Sequence, residues 1–255
     1  MTTPTALTYN SYIAQIADLM VEQYVSGSPN TFTNASVQTL LPQMLNYAEL
    51  RIQRDLDLLA ATTTGASTYT LTAGSNLLTL GAYDFVSLQT LQAVAASGGT
   101  TKFFPTPVSV EFLQNMYPDS TVTGSPKFFA PFGGDQATGG ATSQLYLIGP
   151  PADVNYTVTA FGLQRMPSLA SGVTTGTNTT FIATFLPDLL IMASMIYASG
   201  FQRNWGKQSD DPGMALSYEG QYKALLDPAR MENYRARFEA SGWTSQSVPT
   251  ATPTR

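Results

Sequence analysis

The spacing of apolar residues changes character twice along the chain, from helical to alternating and back, and this limits the folds open to it more than any other feature. Within residues 8–25, Tyr12, Ile13, Ile16, Leu19, Met20 and Tyr24 recur at intervals of three and four. An amphipathic helix is expected there, stopped by Ser26, Gly27, Ser28 and Pro29. Val37, Leu41, Met44, Ala48, Ile52, Leu56 and Leu59 define the face of a second helix, with Pro42 either in its first turns or kinking it.

Past Ala60 the period falls to two. Residues 67–72 and 77–80 read as strands joined by a short glycine-containing turn. Residues 85–94, 102–106, 127–131, 144–148 and 156–161 read as further strands, with a brief helix expected over 108–117. Gly133 to Gly140 reads as a flexible loop, and 167–180, which holds little to bury, as a surface connection. Helical spacing returns near Leu186 or Pro187 and runs to about Arg203. A last helix is expected from Met214 to about Ala240, with Pro228 as its candidate bend. The tail, 241–255, contains Trp243 and two prolines and reads as extended.

The order predicts an α+β chain with a helical body formed by the N- and C-terminal helices, residues 1–62 and 167–240. An inserted β-rich domain of sandwich or barrel-like form is expected over 63–166, with the extended tail at 241–255.

The chain contains neither cysteine nor histidine. That removes thiolate nucleophiles, disulfides and cysteine-based metal sites, and with them the commonest general base near neutral pH. Asp84, Glu111, Asp119, Asp135 and Asp153 of the insert remain as candidates for a two-carboxylate hydrolase, but no local motif singles out a pair. Asp210 and Asp211 lack the alternating oxygen ligands of a calcium loop and read as a helix cap. The glycines of 133–140 lack the Lys-Ser/Thr of a phosphate loop. No catalytic residue, cofactor or metal site is therefore expected, and the chain reads as no enzyme.

A net charge of -5 argues against a protein that grips nucleic acid. Only 11% of residues are charged, and a weakly charged surface rich in Thr and Ala favours association between subunits. The first ten residues have neither positive charge nor an apolar run, so no signal peptide is expected. The most apolar stretch is broken by Pro187 and Asp188 and is too short for a bilayer core of roughly 30 Å. A soluble protein made in the cytoplasm is expected, with no membrane anchor.

Two clusters are candidates for contact between molecules. Glu49, Arg51 and Arg54 lie with Tyr47 on the second helix, and Asp55 follows. They either pair locally, as Arg51 with Asp55 at spacing four for about 0.3–0.5 kcal/mol, or lie between subunits. On the last helix Met231, Tyr234, Phe238 and Trp243 form an apolar stripe beside Arg230, Arg235 and Arg237. That stripe either packs internally or docks onto a partner.

Three stretches carry a family resemblance. Residues 185–193, Phe-Leu-Pro-Asp-Leu-Leu-Ile-Met-Ala, followed by Ala198, a polar loop and then Tyr218, Tyr222 and Leu225, resemble the C-terminal part of head-to-tail adaptor proteins of tailed bacteriophages. Ala48-Glu49-Leu50-Arg51-Ile52 is similar to that family's Ala-Glu-x-Arg-Ile element. Residues 125–129, 145–148 and Pro150 before Tyr156 are similar to its middle region.

The resemblance implies a structural virion protein at the head-tail junction, assembled in the host cytoplasm, with no cofactor. It implies a homo-oligomer, a dodecameric ring, bound beneath the portal protein and extending the DNA channel through which the genome is ejected. Contact with double-stranded DNA would be transient. The C-terminal helix or tail would reach the portal, and the insert would be free to face tail tube, nozzle or tail-fibre proteins. The alternatives are a tail or fibre protein binding carbohydrate or other tail proteins through the β insert, and a cell-wall hydrolase.

Overall fold

The computed structural model describes residues 6–62, 68–81, 85–118, 121–136, 142–203 and 213–240. It has the α+β class expected, with a β-rich insert in a helical chain. The chain divides into two compact units, Met1–Leu59 with Met166–Arg255, and Ala60–Arg165.

In the helical unit, α1 (Tyr9–Met20) starts on a capping box. Thr8 accepts the Ser11 amide at 3.2 Å, while its own amide donates to the Ser11 hydroxyl at 2.8 Å. Tyr9, Tyr12, Ile13, Ile16 and Ala17 are fully buried along its inner face. The helix ends at Met20, short of the expected stop, because Val21 adopts a left-handed conformation (φ 56°) and closes it.

Tyr24 therefore belongs to a strand, β1 (Tyr24–Val25), paired with β2 (Thr31–Phe32). Two asparagines fix this small hairpin against α1. The Asn30 amide donates to Asn10 Oδ1 at 2.7 Å, and the Gly27 amide donates to Asn30 Oδ1 at 3.0 Å.

α2 (Ala35–Asp55) is capped by Asn34 and buries Val37, Leu41, Leu45, Ala48, Glu49 and Ile52, with Pro42 inside it. It stops before the end of the periodic pattern, leaving Leu56 buried beyond it and Leu59 37% exposed. α4 (Phe181–Phe185), which lies before the point where helical spacing was expected to return, is capped by Thr180. α5 (Pro187–Arg203) opens on proline, whose missing N–H no helix needs at that position. It touches α1, α2, α4 and α6 (Gly213–Ala240) and is the centre of the unit. Ser194 fits this crowded place because its hydroxyl donates to the Leu190 carbonyl at 2.8 Å within its own helix. Residues 167–180 are more than a surface connection, since Leu169 begins a 3-10 turn (Leu169–Thr174) and is fully buried.

The inserted unit is a sandwich of two four-stranded sheets. One has the order β3 (Thr68–Leu71), β10 (Tyr156–Gln164), β5 (Phe85–Ala95), β6 (Lys102–Phe103). The other runs β4 (Leu77–Leu80), β9 (Thr142–Gly149), β8 (Phe128–Gln136), β7 (Thr106–Pro107). All pairs are antiparallel except β7 with β8. Leu71, Leu91, Val158 and Ala160 of the first sheet meet Leu78, Leu80, Phe129 and Ile148 of the second in a single core. A short helix, α3 (Val110–Met116), packs Leu113 against Ala130 and Leu147 on the outer face of the second sheet.

Three expectations change here. β3 and β4 do not pair across their glycine turn; they part into different sheets, so that Leu71 and Leu78 face each other through the core. Residues 102–106 divide between β6 and β7, one in each sheet. Gly133 and Gly134 belong to β8, not to a loop; backbone pairing with Leu145 and Gln144 holds them, and such pairing leaves no side-chain signature. In β10, Gly162 sits at a register shift where an added Cβ would lie 2.2 Å from the Ser87 carbonyl oxygen. Only glycine permits that bulge.

Candidate assembly interface

The two halves of α6 are held by different chemistry. In the first half Tyr222 and Leu226 face the unit's interior and are buried. The Tyr222 hydroxyl donates to the Asp55 carboxylate at 2.7 Å, and the Arg51 guanidinium lies over the Tyr222 ring, 4.5 Å from its centroid. Arg51 also donates to Glu219 at 2.7 Å and stands 3.7 Å from Asp55, and Lys223 lies 3.4 Å from Glu219. Hydrogen bonding from Arg51 holds the Glu219 carboxyl below its ordinary range, and Glu219 raises Arg51 in return. Burial first, then hydrogen bonding to Asp55, pushes the Tyr222 phenol up.

The second half of α6 closes the end of α2. A helix leaves its last carbonyls without internal partners, and cationic side chains are well placed to take them. Arg230 reaches the Asp55 carbonyl at 3.4 Å. Arg237 donates to the Asp57 carbonyl at 2.7 Å and pairs with the Asp57 carboxylate at 2.7 Å. Asn233 donates to the same carbonyl and accepts the Leu59 amide at 3.1 Å. Arg230, Asn233, Tyr234 and Arg237 line a cleft of about 160 Å³ with Asp55 and Asp57.

Beyond this cleft the half exposes large side chains, Met231 on the side turned from α2 and Tyr234 at the rim of the cleft itself. Met231 is 54% and Tyr234 63% exposed, and Phe238, one turn on, is exposed as well. Arg235 stands beside them, exposed and without an ion-pair partner among the described residues.

The structure thus gives the sequence candidates different places. Arg51 and Asp55 are engaged within the unit, Arg54 is exposed without an ion pair among the described residues, and Arg230 bridges to α2 and to Asp227 at 3.8 Å. Met231, Arg235 and Phe238 are exposed beyond the cleft, Tyr234 is exposed at its rim, and Trp243 lies outside the described residues.

Sequence reasoning missed Glu219, Asn233 and Asp57, because their partners lie more than 160 positions away. Glu49, expected among the second-helix charges that pair on the surface or lie between subunits, is instead inside the unit. This carboxyl is buried, accepts the Leu169 amide at 2.8 Å and binds the Ser168 hydroxyl, which is why the 3-10 turn docks there. Burial raises its pKa, against the lowering effect of those two donors.

Of the five acidic residues weighed for hydrolysis, Asp84 and Asp119, and the side chain of Asp135, lie outside the described residues, as do Asp210 and Asp211. Glu111 lies in the first turn of α3, and Asp153 accepts the Tyr156 hydroxyl at 2.7 Å. Among the described residues no cluster of acidic side chains suits a metal ion, and no helix is long and apolar enough to cross a membrane.

Compared with known proteins, residues 7–248 match the family model for the SU10 adaptor protein, nearly the whole chain. No curated protein sequence matches at a significant level.

Proposed function

The chain belongs to the SU10 adaptor protein family, a family of phage head-to-tail adaptors, and we propose that it forms a ring between the capsid portal and the tail. In this reading it is a structural virion protein of the head-tail junction with no catalytic role, and its ring, twelvefold as the family resemblance implies, extends the DNA channel. The observation that carries it is the outward face of the second half of α6. Its inner side is occupied by polar ties to α2, yet Met231 and Tyr234 remain exposed next to Arg235. An apolar pair beside a cation at the end of a long helix suits docking onto another protein.

That face and the tail, 241–255, contact the portal. Arg54 lies between neighbouring copies. The sparse charge of the chain suits a channel in which DNA slides without capture, since few cations are present to neutralise phosphates.

The test is reconstitution with the portal, imaged by negative-stain electron microscopy and quantified by co-sedimentation. A stacked ring is expected, and both Met231→Ser with Tyr234→Ser and deletion of 241–255 should weaken portal binding by at least about tenfold, a loss of about 1.4 kcal/mol. A protein that stays monomeric beside the portal sinks the ring, and unaltered binding by both variants removes the docking role given to this face and tail.

A further inference from the structure

The β unit has a cleft of its own, about 400 Å³, between α3 and the outer face of the second sheet. This is the size of a small-ligand site. Leu113 and Leu147 make its floor, Tyr117 and Phe132 contribute rings, and Asn76 and Gln114 contribute amides. No charged side chain lines it among the described residues.

The ring of Tyr117 is fixed in place before any ligand arrives. It lies tilted against Phe128, with centroids 6.5 Å apart, and α3 lies so close on the end of β9 that a Cβ at Gly149 would stand 2.8 Å from the Tyr117 ring. The Asn76 and Gln114 side chains, by contrast, have no hydrogen-bond partner among the described residues, although the Asn76 carbonyl accepts the Ile148 amide. Each such amide offers one acceptor and two donor hydrogens.

We propose that this cleft binds a neutral hexopyranose ring. A pyranose has a face of C–H groups that lies on an aromatic ring, and an edge of hydroxyls that both donate and accept. Rings and free amides together match that pattern. An apolar side chain from a protein partner would fill the same space but bury both amides without partners, which is unfavourable. An anionic sugar would find no cation among the described residues lining the cleft. The proposal concerns the insert alone and does not rest on the ring assembly; the portal assay above leaves it untouched.

The test uses the full chain with saturation-transfer NMR. The probes are oligosaccharides of glucose, galactose, mannose and rhamnose, with oligosialic acid as the charged control. Transfer from at least one neutral sugar is expected, with a dissociation constant of about 1 mM for a single ring, and none from oligosialic acid. Gln114→Ala with Asn76→Ala should weaken it about tenfold or more while leaving the circular dichroism spectrum unchanged, because neither amide is in the core.

Silence from every neutral sugar, equal transfer from oligosialic acid, or unchanged binding by the double variant overturns the proposal. So does one further result. Because the chain has no cysteine, Gln114→Cys can be labelled singly with a bulky maleimide; if the label blocks ring formation or tail-protein binding, the cleft is a protein contact.

Discussion

Glu49, Ser194 and Ser199 lie buried in the helical unit, whereas no serine, threonine, amide or charged side chain is buried among the described residues of the β unit. The difference follows from how each unit joins its parts. Strands neutralise their backbone groups by pairing, so the faces between two sheets can be wholly apolar. The helical unit must also hold irregular connections against its helices, and their amides need acceptors; Glu49 supplies one to Leu169. The β unit therefore owes its stability to area removed from water, and the helical unit owes part of its own to groups that respond to pH and salt.

The contrast can be broken first in the β unit, where the effect is largest. Leu91 is fully buried between the sheets, and Leu91→Ala should cost about 2–5 kcal/mol. Native-state hydrogen exchange read segment by segment should show the loss over β5 and β10, equal at pH 5 and pH 8 and in low and high salt. A pronounced salt dependence would mean that the sandwich is not held by its apolar core.

In the helical unit, Arg51→Ala removes the charged hydrogen bond to Glu219 and the cover over Tyr222. With Arg51 a quarter exposed, a loss of about 1–2 kcal/mol is expected. Guanidinium denaturation masks charge effects, so urea unfolding at two salt concentrations is the measurement, and the loss should shrink as salt rises.

The smallest effect belongs to Glu49, and its sign is set by burial. Its folded pKa is raised, so the fold binds a proton that the unfolded chain releases. The contribution is complete below the ordinary carboxyl range near 4.3 and is lost as pH climbs through the raised folded value. Glu49→Gln should flatten the fall in stability over that window and leave the curve beyond it parallel. Identical slopes for variant and parent would show that the carboxyl stays ionised in the fold, held by Ser168 and Leu169.

Much of the fold could be read from spacing alone, because Ile13, Ile16, Leu41, Leu45 and Ile52 repeat with the helix and Tyr156, Val158 and Ala160 with the strand. What escaped depends on partners far along the chain. Nothing local says that Thr68–Leu71 pairs with residues near 156 instead of with its neighbour across Gly74. Nor does a polar run at 167–180 announce that a buried glutamate is waiting for it. The stripe on α6 was visible as composition, but only the structure separates Met231, which faces away, from Tyr234 at the rim of the cleft and from Asn233 and Arg237, which turn inward to α2.

Both places where the chain passes between the helical unit and its insert are fastened near the end of α2. On the outgoing side Arg237 and Asn233 clasp residues 57 and 59, and on the return side the Met166 amide donates to Gln53 at 3.3 Å. A pull along the backbone at either passage would therefore be borne first by hydrogen bonds open to water, and only after them by the buried apolar packing around α5.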